Sequence, residues 1–163
     1  MLNEKDLIYI IDSHRNTSDS KKITRYWDGR TPYSIHPIWC AMTLLHETSI
    51  SEELRRDGSQ ALLYHDILED TQFQLPKWLT ERVKNLIKDM TFKSSNHEMI
   101  EIWNKSQEVR LLKLYDKVSN LLDGIWMDKE KRRGYTEYAS RLCKDVEQNY
   151  GELNITKIEK III

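Results

Sequence analysis

Through most of the chain, apolar residues return every three or four positions, the spacing of an amphipathic helix rather than of a strand. Residues 3–14 carry Leu7, Ile8, Ile10 and Ile11 in this way and predict a first helix. Residues 15–32 lose the pattern and gain Ser18, Ser20, Gly29 and Pro32, which predicts a helix end and a loop. Pro37 suits a first helical turn, so a helix is expected over about 37–47, with His36 at the loop-to-helix junction. Ser49-Ile50-Ser51-Glu52 resembles a capping box for another short helix, and Gly58-Ser59 either breaks that helix or begins the next. Pro76 should open a helix through about residue 89, with Leu79, Val83, Leu86, Ile87 and Met90 at helical spacing. Further helices are expected over 97–105, 107–123 and 134–150, with Gly124 and the charge run at 129–133 as a connector and Gly151 as the last stop. Residues 154–163 alternate weakly and end in three isoleucines, so strand, helix end and adhesive interface all stay open there. No strand is predicted elsewhere, and the fold class is all-α.

One stretch breaks the division between apolar and polar faces. In Leu62-Leu63-Tyr64-His65-Asp66-Ile67-Leu68-Glu69-Asp70-Thr71, four titratable residues interrupt an apolar run. A helix turning about 100° per residue gathers His65, Asp66, Glu69 and Asp70 on an arc of roughly 140°. Ala61, Leu63, Tyr64, Ile67 and Leu68 fill the opposite arc, and only Leu62 falls on the polar side. Three carboxylates so close repel one another unless a cation holds them, and no lysine is interspersed between residues 57 and 76. A divalent metal is the simplest balancing charge. One helix cannot close a metal site, so other ligands must come from elsewhere.

Composition sets the remaining bounds. A chain of 163 residues suits one domain with one core, here residues 1–163. A mean hydropathy of -0.66 fits a soluble protein. The net charge of -1 gives no electrostatic case for nucleic-acid binding. No apolar run approaches the ~20 residues of a membrane span, and the N-terminus lacks the pattern of a signal peptide. Cys40 and Cys143 lack C-x-x-C spacing and fit reduced thiols, so a cytoplasmic location is expected. A homo-oligomer is left open.

Two blocks flank the acidic stretch: Thr31-Pro32-Tyr33-Ser34-Ile35-His36-Pro37 before it, and Lys113-Leu114-Tyr115-Asp116-Lys117-Val118-Ser119-Asn120-Leu121 after it. The order His, His-Asp, distant Asp resembles the HD superfamily of metal-dependent phosphohydrolases. All three blocks together resemble the hydrolase domain of RelA/SpoT proteins. In length the chain is most similar to the stand-alone small alarmone hydrolases of the metazoan SpoT-homologue type. The motif region runs over about 25–120, with a C-terminal helix and tail over about 134–163. The resemblance implies a helical bundle with a metal site between helices. It also implies an enzyme, a (p)ppGpp-like 3′-pyrophosphohydrolase acting on a small nucleotide.

The resemblance assigns His36, His65, Asp66 and Asp116 as ligands. Two neutral imidazoles and two carboxylates suit Mn²⁺ first, with Fe²⁺ or Zn²⁺ as alternatives, better than Ca²⁺. It assigns Glu69 and Asp70, one turn past the ligands, to orienting or deprotonating the attacking water. Asn120 and Lys113, at i+4 and i−3 from Asp116, are expected to bind substrate. Arg25, eleven residues before His36, matches an arginine that packs on the nucleotide base. Here the chain departs from the family. Tyr26 replaces a lysine, and Arg30 replaces the glycine before Thr-Pro-Tyr, so the base pocket is rebuilt and Tyr26 or Trp27 could help line it. His14, His46 and His97 have no partner in any block, and Trp39, Trp78, Trp103 and Trp126 are expected in the core or on helix faces. An HD-type nucleotidase or phosphatase acting on another nucleotide, or a non-catalytic nucleotide sensor, remains the alternative.

Overall fold

The computed structural model describes residues 3–163. Its helices are α1 (Glu4–Arg15), α2 (Ile35–Leu45), α3 (Glu52–Tyr64), α4 (Ile67–Asp70), α5 (Glu81–Met90), α6 (Ser95–Glu101), α7 (Gln107–Leu122), α8 (Lys129–Tyr150) and α9 (Asn154–Ile162). Among the described residues there is no strand, only an isolated bridge between Thr24 and Pro32. The class is all-α, as the helical periodicity predicts.

The bundle is built around α7. Val109, Leu111, Leu112, Leu114, Tyr115, Val118 and Leu121 are buried around most of its circumference, the pattern of a central helix rather than a surface one. It packs against α2, α3, α5, α8 and α9, and α2 lies along α3. Gly58 leaves room for the side chains of Leu44 from α2 and Leu112 from α7. A Cβ there would lie 2.9 Å from Leu44 Cδ2 and 3.0 Å from Leu112 Cδ2. The glycine therefore sits inside a continuous α3, where a break or a new start was expected.

Capping side chains move several boundaries. The α3 cap is Ser51, which accepts from the Leu54 amide, and not Ser49. The helix expected from Pro76 begins at Glu81, because Thr80 supplies the cap oxygen to Val83. The charge run at 129–133 is the first turn of α8, capped by Asp128, rather than a connector. The undecided tail is helical. Its N-terminus is held by Glu47, a buried carboxylate that accepts from Tyr115 Oη (2.8 Å), Asn154 N (3.1 Å) and Ile155 N (3.1 Å). Glu47→Ala would leave three donors without a partner, each at a cost of about 1–3 kcal/mol where water cannot reach. We expect a loss of roughly 3 kcal/mol or more in denaturant unfolding, with faster proteolysis near Gly151.

His14, at the end of α1, is 1% exposed, and neither ring nitrogen has a partner. Its ring lies 5.1 Å from that of Tyr33. Burial lowers its pKa from about 6.5 to about 4, outweighing the opposite pull of Asp66. The unfolded chain then binds a proton at a higher pH than the native one. Stability present above pH ~6.5 should be lost as pH falls towards 4, by at most roughly 3 kcal/mol. His14→Phe should flatten that slope in urea melts run at about pH 7 and about pH 4.5.

Candidate metal centre and cavity

His36 lies in the first turn of α2 and His65-Asp66 at the junction of α3 and α4. α3 ends at Tyr64, but His65 (φ -60°, ψ -34°) and Asp66 (φ -83°, ψ -9°) stay right-handed, so the helical spacing carries through the break. The Asp70 amide donates to the Asp66 carbonyl at 2.8 Å, which sets Glu69 and Asp70 one turn further on. Asp116 comes from the middle of α7.

These elements bring His36, His65 and Asp116 together, with one ligating atom of each within 4.8 Å of the others. His36 Nε2 is 3.4 Å from both Asp66 Oδ2 and Asp116 Oδ1. His65 Nε2 is 2.9 Å from Asp66 Oδ1 and 3.7 Å from Asp116 Oδ1. The other nitrogens are engaged behind. His65 Nδ1 meets the Leu62 carbonyl at 2.7 Å, which can only accept, so Nδ1 holds the proton and the Nε2 lone pair faces the cluster. His36 Nδ1 meets Ser119 Oγ at 2.7 Å.

His36 Nε2, His65 Nε2 and Asp66 Oδ2 are buried without a hydrogen-bond partner. Converging lone pairs of this kind are what a divalent cation satisfies, so the donor set fits a metal. The charges point the same way. Burial works against a proton on His65, yet Asp66 and Asp116 overcome it and push its pKa well up. Burial likewise opposes ionisation of Asp116, but Lys117 and Lys113 outweigh it and hold the carboxyl well below its usual range. The His65 side of the cluster thus attracts positive charge, whether a proton or a metal ion, while burial lowers the pKa of His36 and keeps its ring neutral.

Behind Asp116 lies a buried charge network. Lys113 Nζ and Lys117 Nζ approach Asp116 Oδ2 at 3.0 and 3.1 Å and Glu98 Oε2 at 3.1 and 3.0 Å. Tyr138 Oη donates to Glu98 Oε1 at 3.0 Å. This corrects the expectation for Lys113. It is 1% exposed and braces Asp116 from behind instead of facing a ligand. Asn120 Nδ2 donates to Asp116 Oδ1 at 2.7 Å from the cavity side.

The centre opens into a cavity of about 560 Å³ whose wall includes Asp66, Glu69, Asp70, Asp116 and Asn120. Glu69 Oε1 accepts from the Phe92 amide (2.9 Å), and Asp70 Oδ2 pairs with Lys22 Nζ (2.7 Å). Burial, helped by the charge of Asp66, raises Asp70 to about 6 against the pull of Lys22. Arg25 also borders the cavity but is only 3% exposed. Its guanidinium pairs with Asp123 (2.8 Å) and donates to the Ser119 carbonyl (3.2 Å). The exposed flat surface beside it belongs to its neighbour. Tyr26, 45% exposed, lies 5.3 Å from Trp126, and both line the cavity. Trp126 reaches the cavity from a helix face, as expected, while Lys22, Glu98 and Lys117 carry no role assigned from the sequence. Two lysines flanking Asp116 on a mostly buried helix were the one signal that another carboxylate, Glu98, had to be near.

A helical bundle with buried His–His-Asp–Asp residues at its centre defines an HD-type domain. No family model matches the chain. The guanosine-3′,5′-bis(diphosphate) 3′-pyrophosphohydrolase MESH1 of Homo sapiens is 31% identical over 139 residues, covering 76% of this chain and 75% of the relative. The Xenopus tropicalis MESH1 is 29% identical over 156 residues, 85% of each chain. This chain belongs to the MESH1 family. A solved metazoan SpoT ortholog, described as hydrolysing ppGpp, superimposes with a TM-score of 0.74 over 97% of this chain and 91% of that one. At 24% identity that likeness speaks for the fold.

Proposed function

We propose that this protein is a metal-dependent nucleotide phosphohydrolase that removes the 3′-pyrophosphate of a (p)ppGpp-like alarmone. The observation that carries the reading is the pair of buried, unpartnered imidazole nitrogens turned towards two carboxylates at the floor of an open cavity. The names of the MESH1 relatives supply the substrate class. His36, His65, Asp66 and Asp116 would hold the ion, with Mn²⁺ favoured over Fe²⁺ or Zn²⁺. A bound divalent ion supplies Lewis-acid polarisation of a phosphoryl oxygen and lowers the pKa of water.

The rest of the chemistry belongs to the chain. Glu69 and Asp70 orient the attacking water and take its proton. An Asp70 carboxyl raised to about 6 is a better proton acceptor than an ordinary aspartate and is still mostly ionised at neutral pH. Asn120 holds Asp116 in register and faces the nucleotide. Lys113 and Lys117 keep Asp116 ionised, and Glu98 holds the two lysines in place. Tyr26 and Trp126 give the base an aromatic wall, with Arg25 as its brace.

One arrangement favours a second reading, an HD-type phosphatase on a different nucleotide. The Arg25–Asp123 pair commits the arginine to the protein and leaves base selection to aromatic contact, which discriminates by ring size more than by hydrogen-bond pattern. Purified protein with Mn²⁺ should be assayed on 3′- and 5′-phosphorylated purine and pyrimidine nucleotides, with products resolved by chromatography. Release of pyrophosphate from the 3′-diphosphate of guanosine supports the first reading. Turnover confined to monophosphates supports the second. Among the described residues no helix is long and apolar enough to cross a membrane. A cytoplasmic location is part of this proposal.

A further inference from the structure

The loop between α1 and α2 carries a cation into the cavity. Lys22 Nζ lies 2.7 Å from Asp70 Oδ2 and donates to Tyr33 Oη at 3.3 Å. Its segment is tied to the far end of α4 by three further bonds. Thr17 Oγ1 donates to the Asp70 carbonyl (2.8 Å), Ser18 N to Gln72 Oε1 (3.2 Å), and Gln72 Nε2 to the Asn16 carbonyl (2.8 Å). The ammonium group is therefore held in place rather than left on a freely moving surface chain.

An ammonium has three N–H donors, and Asp70 and Tyr33 occupy two. The side chain remains 30% exposed and borders the same cavity as Asp66, Glu69, Asp70 and Asp116. A phosphate entering there meets a wall rich in carboxylates, which repel it. Lys93, Lys117 and Lys131 border the same cavity, but Lys117 is already bound by Asp116 and Glu98 and Lys131 lies over the Trp126 ring. Lys22 has both a spare donor and a fixed position beside the carboxylate pair.

Resting on the hydrolase reading above, we infer that Lys22 binds a phosphate group of the substrate while tethering Asp70 at the cavity wall. It is thus a substrate-binding residue supplied by the 16–24 loop. Loss of one charge-assisted hydrogen bond corresponds to about a ten- to hundredfold weakening.

The test compares Lys22→Met and Lys22→Arg with the wild type, all loaded with Mn²⁺. Lys22→Met should raise KM for the 3′-diphosphate nucleotide by about ten- to hundredfold. It should weaken binding of inorganic pyrophosphate, measured by calorimetry, in the same proportion. Lys22→Arg should recover most of both. A KM and a pyrophosphate affinity within about twofold of wild type in Lys22→Met would overturn the inference, and so would a loss confined to kcat. Equal losses in both variants with equally lowered melting temperatures would mean that Lys22 only holds the loop, which also overturns it. Should the wild type hydrolyse no nucleotide, the hydrolase reading fails, and the pyrophosphate titration still decides the role of Lys22.

Discussion

His65→Ala is expected to remove the bound metal and the activity together. The imidazole is 1% exposed and its Nδ1 proton is committed to the Leu62 carbonyl, so Nε2 has nothing to do but face the cluster. Losing a residue that merely orients a ligand typically costs ~10–100-fold in metal affinity or activity, and losing the ligand itself should exceed that. The variant also leaves a void where a buried imidazole stood 2.9 Å from Asp66 Oδ1, so some stability should go with the metal. Metal content by elemental analysis after dialysis, read beside circular dichroism to verify the fold, is the measurement. A wild-type metal content in a folded His65→Ala protein would remove His65 from the ligand set. A proton and a cation compete for the same lone pair, and the Asp66 and Asp116 charges raise the proton affinity of His65. Metal retention by the wild type should therefore weaken as pH falls.

The His36–His65–Asp116 cluster was legible in the sequence because its parts are short blocks, each carrying its own chemistry. His36 before Pro37, His65-Asp66 in an apolar run, and Asp116 on a periodic helix can be found without knowing how the helices pack. Lys113 shows where that reasoning stops. Its position on the Asp116 face is right, but whether that face meets solvent, substrate or another helix depends on α6, and Glu98 belongs to no motif. Lys22 was hidden for a similar reason. It sits in a loop without periodicity, and it is brought to the cavity by the bonds between Asn16, Thr17 and Ser18 and residues 70 and 72, together with the pairing of Ile23 and Thr24 with Tyr33 and Pro32. Helix boundaries slipped where a cap competed with a stronger-looking signal. Thr80 prevailed over Pro76, and Asp128 drew a run of charged residues into α8, where such residues have good helix propensity. Gly58 was misjudged because a glycine that makes room for neighbouring side chains cannot be told from a helix breaker until those neighbours, Leu44 and Leu112, are known.

Glu69→Gln combined with Asp70→Asn should give the opposite phenotype from His65→Ala, with metal retained and turnover lost. Both side chains border the cavity, and each is engaged away from the imidazoles, Glu69 with the Phe92 amide and Asp70 with Lys22. The amides are close in size to the carboxylates and keep an acceptor oxygen. The new amide at position 69 could still accept from the Phe92 N–H, and the one at position 70 from Lys22, the two contacts that fix the native side chains. What the double variant loses is charge and basicity. General-base assistance typically contributes about 10²–10⁴-fold, so kcat should fall by about that factor while KM moves much less. Elemental analysis separates this outcome from a collapsed centre, and single-turnover kinetics separates slowed chemistry from slowed product release. A fall in kcat of less than about tenfold, with the metal in place, would mean that the water is activated without this pair. The two acids would then serve to shape the cavity and to hold the 16–24 loop through Lys22.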